Sequence, residues 1–222
     1  MAQFFKNNGL TIVLLLLFAA SIIGQWITGW HFENEELAQH GEQAVTLGEY
    51  ATDPHFIATV FENWESEFLQ MSAYVVLTAF LFQRGSAESS DPDAPPRDAD
   101  LAKQASKPGA PKILHKGPFL RGLYAHSLGI TLLLLFAGSF FLHWKYSAAE
   151  AAAEARMHGE IPLTMGQYLW NAQLWFESFQ NWQSEFLSTA VLVVLSIFLR
   201  QKKSPESKFR YRAAACSNVR LS

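Results

Sequence analysis

The sequence predicts an all-α polytopic membrane protein, with four transmembrane helices arranged as two tandem helical hairpins. Three observations predict it. Residues 8–84 recur without insertion or deletion 118 positions later: Asn8-Gly-Leu lies over His126-Ser-Leu, Trp26 over Trp144, and Phe61-Glu-Asn-Trp-Glu-Ser-Glu-Phe-Leu over Phe179-Gln-Asn-Trp-Gln-Ser-Glu-Phe-Leu. Self-similarity at a fixed offset marks a duplicated unit. Long uncharged apolar runs alternate with polar stretches in a chain that is 50% hydrophobic. The basic residues are segregated: of 17 Lys and Arg, only Lys145 and Arg156 fall in the loops that follow the first and third apolar segments.

The first span is Leu10–Trp30, which carries no formal charge. At ~1.5 Å per residue it is long enough to cross a ~30 Å hydrocarbon layer. Lys6, the apolar run and Ala19-Ala-Ser would also suit a cleaved signal peptide. The internal copy, Leu128–Trp144, argues for retention and forms the third span. The apolar cores of the second and fourth spans, Met71–Phe82 and Thr189–Leu199, are too short to cross alone. They read as the inner parts of longer helices that reach back to Asn63-Trp64 and Asn181-Trp182 from the basic ends Arg84 and Arg200.

Lys and Arg are retained on the cytoplasmic side, which places both termini there. The seven tryptophans (26, 30, 64, 144, 170, 175, 182) then fall on or near the outer side, as an interfacial belt. An even number of spans per copy points both copies the same way, a parallel-related duplication. The chain divides into a first two-span repeat (1–84), a cytoplasmic linker (85–118), a second two-span repeat (119–203) and a basic tail (204–222). The linker holds six of the nine prolines, a composition that favours disorder, and the tail is expected to be disordered too. Cys216 is the only cysteine, so no internal disulfide or thiolate metal cluster is expected.

The outer loops repeat a helical grammar. Ala148–Met157 is rich in strong helix formers, so the third span should continue outward to His158-Gly159, with His40-Gly41 as the matching stop. Thr46-Leu-Gly-Glu49 and Thr164-Met-Gly-Gln167 each read as a capping box that starts a new helix. Pro54 should kink the first of these at Asp53-Pro54, whereas Asn171-Ala172 leaves the second free to run unbroken towards Arg200.

A polar stripe recurs on the second helix of each copy. Asn63, Ser66, Glu67, Gln70 and Tyr74 share one face, and Asn181, Ser184, Glu185 and Ser188 repeat it, extended by Glu177 and Gln173. Such groups are costly in hydrocarbon and should face the bundle interior. Gln25 and His143, at matching positions on spans one and three, are expected partners for the acids. The stripe reads as interhelical hydrogen bonding or, if Glu67 meets Glu185, as a proton or cation site. The metal expectation is none; the weak candidates are the recurrent His40, Glu42, His158 and Glu160, which helix capping already explains. Small residues at Ala20, Ser21, Gly24, Ala137, Gly138 and Ser139 read as helix-packing seams. No cofactor motif, phosphate loop or nucleophile motif is visible, and the basic residues lack the aromatic interleaving of nucleic-acid binders.

The repeated Asn-Trp-x-Ser-Glu-Phe motif (residues 63–68 and 181–186), Gln83-Arg-Gly-Ser-Ala-Glu-Ser, Gln201-Lys-Lys-Ser-Pro-Glu-Ser and Asn8-Gly-Leu together resemble a bacterial family of small integral membrane proteins of unknown function. The resemblance covers nearly the whole chain except the linker and the last dozen residues. It implies a multi-pass inner-membrane location and supplies no activity. The expected role is non-enzymatic, structural or partner-binding, with the lipid bilayer and a second copy or another membrane protein as partners. The alternative is a small proton or cation conduit using Glu67 and Glu185.

Overall fold

Helix ends in the first copy have counterparts 118 residues on. The computed structural model describes residues 2–90, 93, 101–105 and 107–206, and among these it is all-helical, without strands. Helix α1 (Ala2–Gln39) ends where α6 (Ser127–Met157) ends, α2 (Leu47–Tyr50) matches α7 (Met165–Tyr168), and α3 (Pro54–Phe80) matches α8 (Ala172–Phe198). In the linker lie α4 (Leu101–Ala105) and a 3-10 turn (Lys112–His115), followed by α5 (Pro118–Ala125). The remaining linker residues expected to be disordered (91–92, 94–100 and 106), and residues 207–222 of the tail, lie outside the described residues.

Local chemistry sets these ends. Gly41 (φ +74°) and Gly159 (φ +69°) turn the chain into the left-handed region. There Glu42 N–H reaches Leu37 O at 2.9 Å and Glu160 N–H reaches Ala155 O at 2.7 Å, a Schellman closure at both sites. Both capping boxes form: Thr46 with Glu49, Thr164 with Gln167. One expectation is corrected. The second copy does not run unbroken from its capping box, because α7 ends at Tyr168 and α8 begins at Ala172. Asn171 Oδ1 accepts from Gln173 N–H at 2.8 Å, as Asp53 Oδ1 accepts from His55 N–H at 2.9 Å, so an Asx cap restarts the helix with or without proline.

By packing, the described chain falls into two compact units that cut across both copies: residues 1–62 with 140–174, and residues 63–139 with 175–222. In the first unit, Tyr168 and Leu174 are buried with Ala148, and Trp144 packs against them. Indole N–H groups tie helix to loop: Trp26 donates to Leu47 O at 3.0 Å and its counterpart Trp144 to Met165 O at 2.9 Å. Trp30 donates to Val45 O at 2.7 Å, and Asn34 clamps the same residue from both sides. Tyr50 is buried against Gly29, where a Cβ would sit 2.5 Å from the Tyr50 oxygen. The close approach in this unit is thus at Gly29, while Gly24 and Gly138, expected as packing seams, face open space. Burial, then the charges of Glu33, Asp53 and Glu150, push the Tyr50 phenol up to about 12. It stays neutral at physiological pH.

The two boxes differ in one atom that titrates. Hydrogen bonds from the Thr46 amide and hydroxyl hold the Glu49 carboxyl below its ordinary 4.5. A depressed folded-state value contributes stability above 4.5 that is lost as pH falls through the folded value. Gln167 has no such titration. Hydrogen exchange followed from neutral to acid pH is therefore expected to show amide protection falling in residues 46–50 and holding in 164–168, and Glu49→Gln should make the two segments behave alike.

Candidate functional site

In the second unit, the second helices of the two copies face each other through polar side chains. Glu65 has no exposed surface. Its Oε1 accepts from Ser178 Oγ at 2.7 Å and from Trp182 Nε1 at 3.2 Å, both on α8. Around the Trp182 indole stand the rings of Phe179 (5.3 Å between centroids), Phe136 (6.1 Å) and Trp175 (6.4 Å). One helical turn and a little more inward, Gln70 Nε2 donates to Thr189 Oγ1. Thr189 Oγ1 in turn donates to Glu185 O at 3.0 Å. Near the ends of both helices, Ser86 and Ser196 hydroxyls pair at 2.7 Å, and Ala87 N–H reaches Ser196 Oγ at 3.3 Å.

The stripe read from the sequence is used differently from its outline. Ser66, Ser184 and Ser188 donate to carbonyls three residues back on their own helices, at 2.8, 2.8 and 2.9 Å. Asn181 Nδ2 likewise reaches Glu177 O at 3.2 Å. Asn63 is exposed, and Gln70 hydrogen-bonds across to α8. Glu67 is exposed and Glu185 half-buried, close enough that the charge of one acts on the other. Tyr74 donates to Glu88, at 2.8 Å to its carbonyl and 2.7 Å to its carboxylate. In the first unit, Gln25 Nε2 donates to Thr59 Oγ1 at 3.2 Å, so a hydroxyl occupies the place where an acid was expected. His143 is fully buried on α6 in that unit.

Glu65 was missed because its counterpart 118 residues on is Gln183 and that of Ser178 is Val60. A search for recurring residues passes over both. The available signal was the odd acid in Glu-Asn-Trp-Glu-Ser-Glu, which carries one carboxylate more per turn than a solvated helix face needs. A second non-recurring pair, Glu33 Oε2 with His55 Nδ1 at 2.9 Å, ties α1 to α3 in the first unit.

The weak metal candidates partly converge. His40 and His158 rings meet edge to face, 6.0 Å between centroids, and His40 Nδ1 donates to Glu36 O at 3.0 Å. Among the described residues no group of three or more His, Cys, Asp or Glu is placed to hold an ion, so Glu42 and Glu160 do not complete a centre. Beyond the second helices, the Ser-x-Glu turns recur: Ser86 Oγ accepts from Glu88 N–H at 3.1 Å, and Ser204 Oγ from Glu206 N–H at 3.2 Å. Hydrogen bonding and charge from Glu88 hold the Glu206 carboxyl above its ordinary range.

These features define an all-helical protein with two helices, residues 3–39 and 127–157, long and apolar enough to cross a membrane. α3 and α8 do not meet that measure, because Glu62, Glu65 and Glu67 on one and Glu177 and Glu185 on the other dilute their N-terminal halves. The chain belongs to the family described as a domain of unknown function (DUF6766), whose model matches residues 1–215. No curated protein and no solved structure matches it.

Removing Glu65 should leave the Ser178 hydroxyl and the Trp182 indole without their acceptor, at a cost of about 1–3 kcal/mol. Glu65→Leu is expected to lower the thermal midpoint in detergent, whereas Glu65→Gln, which keeps a carbonyl acceptor, should recover most of the loss. Equal midpoints for wild type and Glu65→Leu would remove Glu65 from its structural role.

Proposed function

We propose that this is a four-span protein of a bacterial inner membrane, with both termini cytoplasmic, whose role is structural or partner-binding rather than enzymatic. The observation that carries the reading is the surface of α1. Leu10 is 76% exposed and Leu15, Leu16 and Leu17 are each 60% exposed or more, an unbroken apolar band that water would not tolerate and acyl chains would cover. α6 carries a similar band at Leu133 and Leu134.

The second and fourth spans are α3 and α8. Their 27 residues give ~40 Å of helix, more than a ~30 Å hydrocarbon core requires. Their polar side chains are compatible with that depth because they satisfy one another: Glu65 with Ser178 and Trp182, Gln70 with Thr189. Such interhelical bonds contribute about 0.6–2 kcal/mol each and hold helices in register where apolar burial cannot discriminate protein from lipid. The polar groups are thereby engaged in holding the bundle, which favours a scaffold. Its partner, a second copy or another membrane protein, would meet the outward helical extensions at residues 31–39 and 148–157.

Alkaline carbonate extraction and labelling with an impermeant maleimide test the reading. The protein should stay in the membrane pellet, Glu42→Cys should label in intact spheroplasts, and Cys216 should label after permeabilisation. Release into the supernatant, or Cys216 labelling from outside, would overturn it.

The recurrence of Glu67 as Glu185 on the second helices of the two copies favours a second reading, a proton or cation conduit. Liposomes holding the purified protein should then show proton or cation flux that disappears in Glu67→Gln plus Glu185→Gln. Flux no greater than in empty liposomes rejects the conduit.

A further inference from the structure

We infer that α4, the 3-10 turn and α5, together with the start of α6, form a binding site for an anionic phospholipid, an inference that rests on the membrane reading above. From Leu101 to Ile130 the sequence contains five Lys or Arg (103, 107, 112, 116, 121), two His and no Asp or Glu. Its structured parts are α4, the 3-10 turn and α5, which pack on one another. α5 is strongly amphipathic. Phe119 (81% exposed) and Leu123 (44%) share one face at i, i+4 spacing, and Arg121 lies opposite. That is the pattern of a helix lying in the membrane interface, with its apolar side towards the acyl chains.

Beside this segment the second unit has a cavity of about 760 Å³, within the ~300–1,000 Å³ range of ligand pockets. Val76, Ala79 and Phe80 of α3 and Leu128 and Leu133 of α6 supply apolar wall. The polar lining includes Gln104 of α4, Tyr124 of α5 and His126 at the α5–α6 break. The occupant must therefore be apolar over most of its length and carry a polar end that suits a neighbouring segment whose charged residues are all Lys or Arg. An acyl chain with an anionic headgroup meets both requirements. A neutral headgroup meets the first alone, and a free phosphate meets neither the walls nor their extent. At the matching place in the first copy α1 runs straight through Asn8, where the second copy breaks at His126.

The test uses the full chain, delipidated in detergent and titrated with phosphatidylglycerol or phosphatidylcholine, with bound lipid counted by native mass spectrometry. Wild type should retain phosphatidylglycerol about tenfold better than phosphatidylcholine, the scale expected when a few Lys or Arg each attract an anionic head. Lys112→Glu with Lys116→Glu and Arg121→Glu should reduce that ratio to near one, while Lys112→Arg with Lys116→Arg keeps it. Ala79→Trp, or Leu133→Trp should the first misfold, should reduce binding of both lipids at least fivefold with helicity unchanged. Equal retention of the two lipids by wild type, or indifference to cavity filling, overturns the site. Carbonate extraction of the same preparations reads the membrane assignment separately: a protein that stays in the pellet without lipid selectivity loses the site and keeps its spans, and one that is released loses both.

Discussion

A carboxylate with no exposed surface dictates how α8 must lie against α3 in the second unit. Burying a polar group without a partner costs several times what a typical hydrogen bond returns. Glu65 therefore requires Ser178 and Trp182 at its side, and the ring cluster around Trp182 excludes water from them. Once that contact is set, the helical period brings Gln70 to Thr189, and the turn that follows α3 places Ser86 against Ser196. A shift of one residue along either helix would separate all three pairs at once.

Duplication and asymmetry divide the labour. The elements that recur at the 118-residue offset are local devices: Schellman turns, capping boxes, Asx caps, indole clamps and Ser-x-Glu turns. Each is complete within a few residues or one loop, so two copies can hold it without knowing of each other. The hydrogen bonds by which α3 meets α8 do not recur, and neither does the Glu33–His55 pair within the first copy. Glu65 has Gln183 as its counterpart, Ser178 has Val60, and α1 runs unbroken through the position where α5 gives way to α6. A pseudo-symmetric pair of helices cannot both present a carboxylate to the same contact without repulsion, so one copy keeps the acid and the other supplies donors.

The same physics links bundle and bilayer. Where lipid surrounds a helix, apolar surface no longer drives association, and the few polar side chains acquire the role of specifying neighbours. On the membrane reading proposed above, the exposed apolar bands of α1 and α6 and the satisfied polar contacts of α3 with α8 are two aspects of that condition. An anionic lipid bound beside α5 would extend it to the point where the copies are joined.

Much of the fold was legible in the chain because it is written in local chemistry. Apolar run length, the duplicated register and the Thr46, Thr164, Gly41 and Gly159 signals each depend on residues within a turn or two, so helix ends followed from sequence alone. Asn171 was within reach as well: its capping side chain restarts α8, and attention to the missing proline obscured it. The polar stripe was legible as a face, but its use was not. Serines at 66, 184 and 188 turned back to their own carbonyls, and the buried acid proved to be Glu65 rather than Glu67. A sequence determines which groups a helix presents and where it stops, since backbone periodicity and capping are local. Which of those groups is buried is decided only when a second helix, more than a hundred residues away, arrives with the donors that make burial tolerable.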